Sequence, residues 1–147
     1  YYVKEKNENS DLDYEGLDGK HILLAEDNDL NAEIAITILE RAGLQVDRVE
    51  NGVECVNRII GKPAGIYDLI LMDIQMPKMD GYKATKEIRS LKDKSKASIP
   101  IVAMTANAFE EDKKKAFDAG MDGHIAKPIN IEDLFVVLTD ILNKQKS

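Results

Sequence analysis

Residues 68–81 read Asp-Leu-Ile-Leu-Met-Asp-Ile-Gln-Met-Pro-Lys-Met-Asp-Gly. The stretch from Asp68 to Met72 is the most apolar short run of the chain, as expected of a strand buried on both faces. It breaks at Asp73, so a carboxylate stands at the carboxyl end of a buried strand. The loop behind it holds Pro77 and Gly81, and Ala84, Ile88 and Leu91 then mark the inward face of a helix.

The same grammar repeats on both sides. Upstream, His21 to Ala25 is an apolar run that ends abruptly in Glu26-Asp27-Asn28-Asp29, as a parallel strand feeding a loop does. Asn28 or Asp29 is placed to cap the next helix. Leu30, Ile34, Ile38 and Leu39, with Ala35 and Ala42, predict its buried face, and Gly43 ends it. Leu44 to Val49 is a second, weaker strand, and Asn51-Gly52 a turn. Val53, Val56, Ile59 and Ile60 predict a short helix closed by Gly61-Lys-Pro63.

Downstream, Lys92 to Ser98 reads as a basic surface loop. Pro100 to Met104 is a fourth strand ending at Thr105, and a charged helix runs to Gly120. His124 to Ala126 is a fifth short strand ending at Lys127-Pro128. Asn130 caps a last helix, with Asp133 at the reciprocal position. Its apolar stripe is Ile131, Leu134, Phe135, Leu138, Ile141 and Leu142. Residues 1 to about 17 are polar and acidic, without apolar period, and read as a linker or arm before a domain over 18–147.

Strands alternating with helices imply an α/β fold: right-handed crossovers and a parallel sheet covered on both faces. Such sheets bind ligands outside the carboxyl ends of their strands. The residues there are Glu26 and Asp27, Asp73, Thr105 and Lys127.

Composition narrows the function. A chain of 147 residues suits one domain. No apolar run approaches the ~20 residues of a membrane span, and no secretory leader opens the chain, so a cytoplasmic setting without membrane contact is expected. Starting at Tyr1 rather than Met is what a segment of a longer polypeptide would show. Cys55 is the single cysteine, which excludes an internal disulfide and a multi-thiolate zinc site; it reads as a small buried apolar side chain. The net charge of −7 argues against a nucleic-acid surface. An anionic protein that handles phosphate needs a compensating cation.

Carboxylates from two strand ends meeting in one crevice repel unless a cation lies among them. Hard oxygen donors with waters retained suit Mg²⁺, which pairs one or two carboxylates with a phosphate. A threonine hydroxyl and a lysine ammonium across the crevice would complete a phosphoryl site, leaving one carboxylate to act as nucleophile.

Four segments carry a resemblance to a known family: Ile22 to Asn28 (ILLAEDN), Asp68 to Gly81, Pro100 to Ala106 (PIVAMTA) and Ala126-Lys-Pro128. In this order, each at a strand end, they resemble the receiver domains of two-component response regulators, over residues 20 to about 143. The resemblance implies a flavodoxin-like sheet in the order 2-1-3-4-5. It further implies Asp73 as phosphoacceptor, Asp27 as direct metal ligand, Glu26 as its outer partner and the Gln75 carbonyl as a further ligand. Mg²⁺ is the implied cofactor, with Mn²⁺ able to substitute. Thr105 matches the switch hydroxyl, Lys127 the phosphate-binding lysine, and the Lys127–Pro128 bond is often cis in relatives. His124 stands where many relatives carry a switch aromatic residue. Gln75 and Asn107 occupy positions that tune dephosphorylation. The implied partner is a histidine kinase or a histidine phosphotransfer domain. The domain itself would catalyse its own phosphorylation and dephosphorylation, and the parent would be a hybrid sensor histidine kinase. A stand-alone regulator and an unphosphorylated interaction module are the alternatives.

Taken singly, these residues have plain readings: a solvated helix entry, a turn aspartate, an N-cap threonine, a surface lysine, and for His21 and His124 structural side chains. The first four of these would have to hold at once to remove the site. A haloacid-dehalogenase-type phosphatase needs a second aspartate where Gln75 stands. A flavodoxin-like binder would offer backbone N–H and hydroxyl groups where this chain has Glu26 to Asp29.

Overall fold

A computed structural model describes residues 17–106 and 110–145. Five strands form one parallel sheet in the order β2-β1-β3-β4-β5: β1 His21–Ala25, β2 Gln45–Val49, β3 Leu69–Asp73, β4 Ile101–Thr105 and β5 Gly123–Ala126. The helices are α1 Asp29–Arg41, α2 Gly52–Gly61, α3 Gly81–Arg89, a single turn α4 Lys94–Ala97, α5 Glu110–Ala119 and α6 Ile131–Gln145. The α/β class and the strand order match the expectation.

Period-two alternation sorts the strand side chains onto two cores. Ile22, Leu24, Leu69, Leu71, Val102 and Met104 face α1 and α6, whose Ala35, Leu39, Leu134 and Leu138 cover them. Leu23, Ile70, Met72, Ile101 and Ala103 face α2, α3 and α5, meeting Cys55, Ile59, Ala84, Ile88 and Ala116. Every residue of β3 is buried, as the central position of that strand requires. At about 1.5–3 kcal/mol for each large side chain fully buried, these layers dominate the stability of the fold. Leu17, at the end of the arm, is itself fully buried in the first core. Residues 1–16, the rest of that arm, lie outside the described residues.

Local signals set the element ends. Asn28, Asn51, Asp80 and Asp93 each accept a backbone N–H from the first turn of the helix they precede. Asn130 does the same for Asp133 at 3.0 Å, closing one N–H otherwise left open at a helix start. Gly43, at φ 93°, makes the left-handed turn that releases the chain from α1 into β2.

Three sequence expectations are corrected. Leu30 and Ile34 are 65% and 45% exposed; the sheet-facing stripe of α1 is Ala32, Ala35 and Leu39. At about 100° per residue these three share one arc, with Leu30 about opposite it and Ile34 about 130° from its centre, so both point outward. Val53, Ile60 and Ile131 are likewise exposed, at 37%, 51% and 48%, next to the buried faces of their helices. The basic segment from Lys92 to Ser98 is not all loop. Asp93 accepts from Ser95 and Lys96 and nucleates α4, which carries Ala97 into the core.

Candidate functional site

The carboxyl ends of β1 and β3 are neighbours, since Ala25 pairs with Met72. The residues that follow each strand therefore share one crevice. Glu26 and Asp73 are buried, at 2% and 5% exposure, while Asp27 beside them is open to solvent. Each of the three carboxylates offers an oxygen, and these oxygens lie within 4.8 Å of one another.

Across the crevice, Lys127 leaves the end of β5 and reaches both buried acids. Its Nζ lies 2.9 Å from Glu26 Oε1 and 3.0 Å from Asp73 Oδ2. Its backbone N–H donates to the Thr105 carbonyl at 2.8 Å, which ties the lysine to the end of β4. The Lys127–Pro128 bond is cis. Thr105 is half-buried one step beyond Met104, the residue paired with Asp73.

Charge in this crevice is strained. Burial pushes the Asp73 carboxyl up to about 6, and the nearby Glu26 charge pushes the same way, against the hydrogen bond from Lys127. One ammonium divided between two buried acids cannot fully compensate both. For Lys127, burial works to lower the ammonium, but its bonds to Glu26 and Asp73 outweigh it and hold it above the ordinary lysine range. Two acids and one base of this kind leave room for a further cation, and the all-oxygen donor set with an exposed Asp27 suits a hard divalent ion that keeps some water.

The loop after β3 is fixed by its own hydrogen bonds. Gln75 N–H donates to Asp73 Oδ1 at 3.3 Å, and Gly81 N–H to the Ile74 carbonyl at 2.8 Å. A Cβ on Gly81 would stand 2.5 Å from the Asp73 carbonyl oxygen and 3.0 Å from Ile74 Cα, so this close approach admits only glycine. Gln75 and Asp27 line one shallow depression beside the acids. Thr105 and His124 line a narrow crevice on the other side, with Ile74, Tyr82 and Asp112.

The structure thus brings Glu26, Asp27, Asp73 and Lys127 together, with Gln75 and Thr105 at the margins and His124 one crevice away. Asn107 lies outside the described residues. His21 is remote from this set: its ring packs at a tilt against Tyr67, and Nε2 lies 3.2 Å from Asp47 Oδ2. Sequence reasoning overlooked Arg48, whose guanidinium donates to the Glu26 carbonyl. Nothing in a lone arginine on a weak strand signals that role.

The chain matches the response regulator receiver domain family over residues 22–139. It is 40% identical over 126 residues to the peroxide stress-activated histidine kinase mak1 of Schizosaccharomyces pombe, covering 85% of this chain and 8% of that protein. It is 42% identical over 109 residues to hybrid signal transduction histidine kinase L of Dictyostelium discoideum, covering 74% and 6%. Among solved structures, it resembles the receiver domain of a sensor histidine kinase from Pseudomonas aeruginosa, which holds a magnesium ion in its active-site cleft. That match has a TM-score of 0.76 and 36% identity, over 85% of this chain and 98% of the other. It also resembles a Saccharomyces cerevisiae receiver domain, that of the response regulator Ssk1, crystallised with the histidine phosphotransfer protein Ypd1: TM-score 0.72, 32% identity, 80% and 85% coverage. The chain spans less than a tenth of the length of either of these two kinases.

Proposed function

From the premise that the chain belongs to the response regulator receiver family, we propose that Asp73 is its phosphoacceptor in a two-component phosphorelay. The observation that carries this reading is a buried Asp73 bridged by Lys127 to Glu26, with Asp27 within 4.8 Å. Glu26, Asp27, Asp73 and the Gln75 carbonyl would hold Mg²⁺, a donor set that Mn²⁺ also fits. When bound, the ion supplies neutralisation of phosphoryl and carboxylate charge.

The residues of the chain do the rest. A carboxylate oxygen of Asp73 attacks the phosphorus of a phosphohistidine; the new P–O bond forms as the P–N bond breaks, and the imidazole leaves with the electron pair. Lys127 holds negative charge on the transferring group, and Thr105 hydrogen-bonds one of its oxygens. Hydrolysis of the acyl phosphate resets the domain, and Gln75 and Asn107 set its rate by controlling water access. The donor is a histidine kinase or a histidine phosphotransfer protein. The parent is a hybrid sensor histidine kinase in the cytoplasm, joined through the acidic arm that ends near residues 17–18. Neither nucleic acid nor membrane is contacted by this segment.

Labelling tests the reading. Acetyl phosphate or a cognate phosphohistidine protein with Mg²⁺ should label the wild type, and EDTA or Asp73→Asn should abolish it. Normal labelling of Asp73→Asn would show that another residue is the acceptor.

A further inference from the structure

Arg48 sits on the edge strand β2, half-buried, and spends its whole guanidinium on the loop between β1 and α1. Nε and Nη2 both donate to the Glu26 carbonyl, at 3.0 and 2.8 Å. Nη1 donates to Asp29 Oδ1 at 2.8 Å. Glu26 and Asp29 are the two ends of the turn, and the exposed Asp27 hangs between them. The other bonds to Glu26 come from its own backbone and from across the crevice: Glu26 N–H to the Val49 carbonyl at 3.1 Å, Asn28 N–H to Oε2 at 3.1 Å, and Lys127 to Oε1. Arg48 thus hydrogen-bonds both ends of the turn.

We propose that Arg48 is a positioning residue of the cation site, fixing the Glu26–Asp29 turn so that the Asp27 carboxylate stays within reach of Glu26 and Asp73. The inference rests on reading the crevice as a Mg²⁺-dependent phosphoacceptor site. It predicts a sign that simple electrostatics does not. A guanidinium near a cation site repels the cation, so charge alone says that removing Arg48 tightens Mg²⁺ binding. Positioning says the reverse. The charge is already paired with Asp29, whose side chain is 90% exposed, so pairing and solvent screening keep its effect small. Groups that orient a metal ligand, by contrast, typically matter by about 10–100-fold in affinity. Positioning therefore wins.

The lysine variant separates the two causes, because it keeps the charge and loses the planar fork that reaches carbonyl and carboxylate together. Mg²⁺ is titrated into the full chain and followed by backbone amide shifts around Asp27, which needs no phosphorylation. Arg48→Lys and Arg48→Ala should each weaken Mg²⁺ about tenfold or more. In metal-free protein, the altered amides should cluster at residues 26–29. Thermal melts in EDTA check that each variant is folded; if Arg48→Ala is not, Arg48→Lys carries the test. Affinity equal to wild type in Arg48→Lys, or tighter binding in Arg48→Ala, overturns the inference. A wild type that binds no Mg²⁺ would instead overturn the receiver-site reading beneath it.

Discussion

Replacing Asp73 by asparagine should stabilise the metal-free protein while destroying its chemistry. The side chain is nearly isosteric, so the change removes a charge rather than a volume. That charge is held against its preference, since burial and Glu26 raise the carboxyl from 3.8 to about 6. At about 1.4 kcal/mol per tenfold in proton affinity, the ceiling on the penalty of ionised Asp73 is ~3 kcal/mol. Water at the crevice mouth screens part of it, which leaves about 1–2 kcal/mol. The sign follows from the raised value: the folded state binds this proton more tightly than the unfolded chain. The penalty is therefore absent below 3.8, builds as pH rises towards 6, and is complete above it. Urea unfolding in EDTA at pH 7.5 should show Asp73→Asn more stable by about 1–2 kcal/mol, or about 3–6 °C in a melt. The gain should fall to roughly half by pH 5. Mg²⁺ should then stabilise the wild type and do much less for the variant. An Asp73→Asn protein no more stable than wild type at pH 7.5 in EDTA would refute the account of a strained carboxylate.

Three further outcomes follow from other parts of the molecule. Arg89 donates to the carbonyls of Gly120, Ala97 and Ile99 and to Asp122, so Arg89→Ala should cost about 2–4 kcal/mol in chemical denaturation; a loss under ~0.5 kcal/mol would mean that water replaces these bonds freely. Cys55 is fully buried and its thiol is pushed up to about 12 by desolvation; it should resist a disulfide reagent in native protein and react fully in denaturant, and fast native labelling would contradict the placement. Beryllofluoride with Mg²⁺ should shift NMR signals of Thr105, His124 and α6, because Thr105 and Lys127, the proposed phosphoryl contacts, end β4 and follow β5, the strand that carries His124 and packs on α6; changes confined to the Asp73 crevice would leave a relay without a conformational switch.

The sheet and the chemistry at its edge were legible in the sequence for one physical reason. A parallel strand buried on both faces tolerates almost no polar side chain, so each apolar run stops where the chain leaves the sheet. The carboxylates of Glu26, Asp27 and Asp73 and the Lys127 ammonium stand at those stops. Helix faces were less legible. On α1 the pattern of large residues pointed to Leu30 and Ile34, yet contact with the sheet is made by Ala32, Ala35 and Leu39. At about 100° per residue Leu30 lies opposite Ala32, Ala35 and Leu39, so the buried face was in the pattern and was hidden by weighing large residues over alanines. The turn α4 was hidden because four residues carry no period at all; the Asp93 cap was its one signal. Arg48 was hidden for another reason: its targets are a backbone carbonyl and a carboxylate on a loop 19 or more residues away, a juxtaposition made only by pairing β2 with β1.

The strain at Asp73 bears directly on the proposed reaction. A carboxylate is a weak nucleophile partly because it is a weak base, and nucleophilicity rises with basicity within one class of attacking group. In the metal-free crevice the carboxyl at about 6 is already more than ~90% ionised near pH 7.5, and a cation bound beside it would lower it further. Burial against β1 and β4 supplies the upward push, and Lys127 limits it by hydrogen-bonding Oδ2. Lys127 thus has two tasks that can be told apart. Lys127→Ala should raise the Asp73 value further in metal-free protein, moving protonation towards neutral pH, and should also remove the charge that meets the phosphoryl group. Raising the pH would restore ionisation but not that charge. The variant's labelling should therefore stay well below wild type at pH 9, where Asp73 is ionised in both proteins. Full recovery at high pH would show that Lys127 acts only by keeping Asp73 ionised.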